Sequence, residues 1–113
     1  MELNALQYIN TAILNVYQTD LKITSISSKN PQRPLDDLES FEFAFSDDWK
    51  DYEKAVIFTR QGFSVSVSER LWTNNTAKIP ALMIEETAGK LSVKIVGFKD
   101  GIHFKQTNAV EIK

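Results

Sequence analysis

Few residues in this chain have the chemistry for catalysis. His103 is the only histidine and there is no cysteine, which excludes disulfides, zinc–thiolate sites and thiol catalysis. His103 stands between Ile102 and Phe104, in the solvent-facing row of an alternating strand. A histidine base needs a nucleophile to serve, and the sequence has no Gly-x-Ser-x-Gly turn or comparable element. Asp47, Asp48, Asp51 and Glu53 crowd into seven residues, and carboxylates at that density are the raw material of a calcium loop. They lack the D-x-[DN]-x-[DN]-G order and the glycine of its sharp turn, so the expectation is a solvated turn capped by Asp47 or Asp48. Gly62, Gly89, Gly97 and Gly101 are dispersed and build no phosphate-cradling loop. The residues point away from an enzyme and call for no cofactor or metal.

Binding remains. Trp49 and Trp72 both stand next to turn sequences, where an aromatic ring either closes one end of a core or stacks on a sugar. Trp49, with Tyr52, reads as the cover of one core end. Trp72 is open between packing and contact, and with its neighbours Arg70 and Asn74 it forms the candidate partner or glycan contact. Thirteen basic and fifteen acidic residues give a net charge of -2, and the basic residues are scattered. Without a basic stripe interleaved with aromatics, nucleic acid is not expected as a partner. No run approaches the ~18 apolar residues of a membrane span. The opening MELNALQYIN carries Glu2 and no basic n-region, so no secretory signal is read there and synthesis in a cytoplasm is expected.

The elements that must position these side chains are strands. In residues 40–46, Phe41, Phe43 and Phe45 alternate with Glu42, Ala44 and Ser46. Residues 54–60 are β-rich, and in 63–68 Phe63, Val65 and Val67 alternate with serines. Such period-two patterns put one row on a core and the other in water. Gln61-Gly62 between two of these runs is a two-residue hairpin signal, and Asp100-Gly101 is a stronger one. Residues 21–27, 91–99, 102–107 and 109–113 complete about seven strands. Leu21, Ile23 and Ser25 form one row of the first of these, and Lys22, Thr24 and Ile26 the other. Pro31 and Pro34 mark residues 28–37 as a loop, and Asn74-Asn75 marks a turn. Pro80 suits the first position of a helical turn over 81–88 that Gly89 stops. All seven phenylalanines fall on these strands, as core or as half of an interface.

A single all-β domain follows, an immunoglobulin-like antiparallel sandwich with one short helical turn, a small barrel being the alternative. Its 113 residues suit one domain. Residues 1–12 read as an N-terminal arm before a sandwich over 13–113. Leu3, Leu6, Ile9 and Ile13 recur at near-helical spacing, so residues 1–17 are open between a short helix and an irregular arm leading into a strand. Leu3, Leu6 and Ile9 are the candidate assembly contacts of that arm.

The order of segments resembles a known family. Residues 16–24 read VYQTDLKIT, a proline loop follows, then 38–45, then Ser46-Asp47-Asp48-Trp49 and the strand Ala55-Val56-Ile57-Phe58. Next come Ile79-Pro80, a turn ending at Gly89, and LSVKIVGF over 91–98. This is similar to the β-sandwich modules of structural proteins from tailed bacteriophages of Gram-positive bacteria. The closest in type are the N-terminal domains of upper baseplate proteins and small head or tail decoration proteins. The resemblance covers roughly residues 13–112. Ala81 departs from it, since an aromatic often follows the Ile-Pro in such modules. It implies a structural module of a virion (baseplate, tail or head decoration), made in the host cytoplasm, whose partners are other virion proteins and its own copies. It carries over no catalytic or ligand-binding residue. Two other readings stay open: a carbohydrate- or cell-wall-binding module, with a host cell-surface glycan on Trp72, and a small phage-encoded inhibitor of a host protein.

Overall fold

The computed structural model describes residues 10–27, 34–36, 38–85 and 89–113. Nine strands make up most of them: β1 (Thr11–Tyr17), β2 (Asp20–Ser27), β3 (Ser40–Phe45), β4 (Glu53–Arg60), β5 (Phe63–Ser68), β6 (Thr76–Lys78), β7 (Leu91–Lys99), β8 (His103–Gln106) and β9 (Val110–Ile112). One sheet runs β2-β1-β3-β6. The other runs β5-β4-β7-β8, with β9 also paired to β7. Short 3₁₀ turns (Pro34–Asp36, Asp47–Trp49, Glu69–Leu71) and one helix, α1 (Ala81–Glu85), fill the connections. The expected all-β sandwich is the observed architecture.

Alternation places the core. In β1, Ala12, Leu14 and Val16 are buried; they register against Phe41, Phe43 and Phe45 of β3. Val56 and Phe58 of β4 and Leu91, Val93 and Ile95 of β7 meet them from the other sheet, and all are fully buried. Each such side chain taken from water stabilises the fold by about 1.5–3 kcal/mol.

Several details depart from the sequence reading. The helical alternative for residues 1–17 fails over β1. The β-branched Thr11, Ile13 and Val16 favour extended backbone, and β1 gains a partner on each side. Asn10 is already tied in, its carbonyl accepting from Glu39 N at 2.9 Å. The sandwich therefore begins before residue 13, while Leu3, Leu6 and Ile9 lie outside the described residues. β1 and β6 raise the strand count from about seven to nine, and β1 runs parallel to β3, where antiparallel pairing was expected throughout. Thr24 is an extra residue opposite Ile13 and Leu14. This bulge moves Ile26 into the row of Leu21 and Ile23, out of the alternation read from sequence. The Asp100-Gly101 hairpin has a third loop residue, Ile102, since Lys99 pairs with His103.

Two turns form as their residues demand. Gln61 and Gly62 have φ of 51° and 83°, the pair of left-handed residues of a type I′ hairpin. Asn74 and Asn75 do the same at 51° and 59°, closed by paired backbone bonds of 2.9 Å between Thr73 and Thr76.

Candidate functional site

At one end of the sandwich five rings form a row: Tyr52, Trp49, Phe45, Trp72 and Phe43, with neighbouring centroids 5.2 to 6.2 Å apart. Trp49 is fully buried, and its Nε1 donates to the Gln18 carbonyl at 2.7 Å. The ring fits because β7 has no side chain beneath it: a Cβ on Gly97 would stand 2.8 Å from Trp49 Cζ3. The Lys105 ammonium lies 4.5 Å above the Trp49 ring and 4.6 Å above Tyr52 and pairs with Asp48 Oδ2 at 2.5 Å. Asp48 also accepts from Ser46 Oγ. The Lys105 bond, then the Ser46 bond, hold the Asp48 carboxyl below its usual range. The acidic cluster thus caps no turn with Asp47 or Asp48. Ser46 occupies the cap position, and Asp48 clamps β8 instead.

The candidate contact Trp72, Arg70 and Asn74 lies at the other end of this row, on the segment leaving β5. Trp72 is half-buried, stacked nearly parallel to Phe45 and 5.2 Å from Phe43, and its Nε1 donates to the Val67 carbonyl at 3.2 Å. Packing thus engages the ring and its polar edge. Arg70 and Asn74 are exposed, Arg70 pairing with Glu53 at 2.6 Å. Asn74 shapes its turn through its positive φ. The three residues share a region but converge on no common hollow: Arg70 lines one and Trp72 and Asn74 line none of those described.

Leu71, on the same segment, is 76% exposed and stands between two open hollows. One, of about 530 Å³, is lined by Leu71, Phe98, Ala55, Ser68, Arg70 and Glu53, among others. The second, of about 540 Å³, lies between the sheets and is lined by Val67 and Leu71 on one side and Thr76, Lys78 and Ser40 on the other. From the first hollow an apolar strip continues along the outer face of the second sheet. Phe98 is 51% and Phe104 53% exposed, with rings 5.2 Å apart, and Ile102 at the adjoining loop is 82% exposed. The sequence held the signal for Phe98. It falls in the row of Ser92 and Lys94, out of phase with Leu91, Val93 and Ile95.

These groups offer aromatic, aliphatic and backbone contact. His103 is exposed at the end of β8, but not in the outer row expected of it: it pairs with Lys99 and shares the inner-face row of Gly97 and Lys105, while Phe104 pairs with Phe98 on the outer face. Comparison of the chain with known protein families, curated proteins and solved structures finds no match.

Proposed function

We propose that the chain is a non-enzymatic structural module of a bacteriophage virion, in the baseplate, tail or head decoration, acting through contacts with copies of itself and with other virion proteins. The observation that carries an assembly role is the apolar strip of Leu71, Phe98, Phe104 and Ile102 on the outer face of a sheet. Large exposed apolar side chains grouped together mark surfaces that are covered in use. The virion as the setting rests on the order of sequence segments alone. The glycan-binding alternative depends on Trp72, whose ring packs on Phe43 and Phe45, so no observation favours it.

Antibody labelling of purified particles, viewed by electron microscopy, tests the proposal. Label at one fixed location on the particle supports it. Unlabelled particles, with the protein found only in infected-cell lysate, overturn it and favour the inhibitor reading.

A further inference from the structure

The edges of the two sheets are not equally defended. An exposed edge presents unpaired N–H and C=O groups, and proteins protect such edges with charge, bulges or shortness. β2 carries Lys22 and the Thr24 bulge. β6 has three residues, one of them Lys78. β8 carries His103 and Lys105, and β9 carries Glu111. β5 reads FSVSVS, with no charge, no proline and no bulge in its pairing with β4. Among the described residues no strand pairs with its other side.

The hairpin fixes which groups face outward. A two-residue type I′ loop makes its flanking residues, Arg60 and Phe63, a hydrogen-bonded pair. Bonded pairs then alternate along the ladder, so Phe63, Val65 and Val67 bond to β4. Ser64, Ser66 and Ser68 turn their N–H and C=O groups outward.

We propose that two copies of the chain associate by pairing β5 with β5, antiparallel, about a two-fold axis through Val65. This assigns the self-contact within the assembly role proposed above. In that register Ser64 of each copy exchanges backbone bonds with Ser66 of the other, Val65 faces Val65, and Phe63 faces Val67. Every residue meets a residue of its own kind of row, serine against serine on the outer face and apolar against apolar on the inner. Phe63, 55% exposed in the single chain, is covered. The pairing is isologous, so both copies use the same edge and the assembly closes as a dimer. A head-to-tail contact needs β5 to meet a different edge, and the others carry charge or a bulge.

Sedimentation velocity of the full chain and of two edge variants tests this. Ser66→Pro removes an outward N–H and leaves the β4 ladder intact; Ser66→Lys places a charge on the edge and keeps the backbone. The wild type sediments as a dimer, and both variants sediment as monomers at the same concentration with unchanged circular dichroism. If Ser66→Pro fails to fold, Ser66→Lys decides. The chain has no cysteine, so Val65→Cys adds an independent reading. Its thiol faces its own copy across a non-bonded pair, where Cα atoms stand about 4.5 Å apart, within the reach of a disulfide. Rapid oxidation to a linked dimer supports the proposal. A wild type that is monomeric at every concentration, or a dimer that survives both Ser66 variants, overturns it. A monomer that still labels on particles overturns the β5 contact alone, whereas a β5 dimer absent from particles overturns the virion reading alone.

Discussion

Where β2 faces β8 and β9, side chains join the two sheets. Where β5 and β6 lie, the sheets part around an open hollow. The joined side turns on a one-residue slip. Val96 pairs with Gln106, yet Val93 pairs with Val110, so β8 and β9 are one strand with an extra residue between them. Thr107 fills the gap in the ladder: its N–H donates to the Ile95 carbonyl at 2.9 Å and its Oγ1 accepts from Ile95 N at 3.0 Å. The slip frees Asn108 to cross to the other sheet, where its amide accepts from Leu21 N at 2.8 Å and donates to the Leu21 carbonyl at 3.1 Å. One side-chain amide thereby stands in for a neighbouring strand. On the parted side Trp72 reaches only the Val67 carbonyl of β5, and in the proposed pairing the outward backbone groups of Ser64 and Ser66 are left for another chain. Stability is concentrated on the first side and the proposed self-pairing edge on the second.

If that division holds, substitutions at the joins between the sheets lower melting temperature and leave β5 pairing alone, and β5 substitutions do the reverse. The largest loss is expected from Trp49→Ala, about 3–5 kcal/mol in denaturant unfolding, as for a fully buried aromatic. Trp72→Ala, at the parted end of the same ring row, should cost about 1–2 kcal/mol, on the scale of partial burial. Equal losses would erase the contrast. Gly97→Ala drives a methyl group into Trp49 and should cost about 1–3 kcal/mol by overpacking; a neutral result would mean the ring has room to shift.

Asn108→Ala leaves the N–H and C=O of the buried Leu21 without their partner and should also cost about 1–3 kcal/mol. Hydrogen exchange at Leu21 should accelerate more than at β4. The smallest effect concerns Asp48. Its carboxyl is lowered in the folded chain, so its contribution is complete above the ordinary Asp value, about 3.9. That contribution fades as pH falls further, through the lowered value. Thermal melts taken from about pH 5 downward should show this acid-side loss in the wild type and a shallower one in Lys105→Met, which cannot pair with Asp48.

Much of this was legible in the sequence because it is local. Alternating and β-rich runs located seven of the nine strands at least in part, and Gly62 and Asn74-Asn75 announced turns whose positive φ those residues tolerate. What was hidden depends on partners. The Thr24 bulge, the slip before Val110 and the parallel pairing of β1 with β3 are statements of register, which an isolated strand does not carry. Over Thr11–Tyr17 helix and strand stayed open because the apolar spacing of a short segment suits either until its neighbour is known; Leu3, Leu6 and Ile9 lie outside the described residues. For the candidate site, residues 70–74 drew attention through Trp72, and the ring turned out to be engaged in packing. The undefended edge beside it was invisible, since FSVSVS becomes an edge only when the strand order places nothing beyond it.

The most direct measurement is amide hydrogen exchange along β5 as a function of protein concentration. Val65 and Val67, bonded to β4, are protected throughout and serve as the internal reference. Protection of Ser64 and Ser66 should rise with concentration as the two edges pair. Fast exchange at Ser64 and Ser66 at every concentration would contradict the pairing and leave the parted side without the role assigned to it.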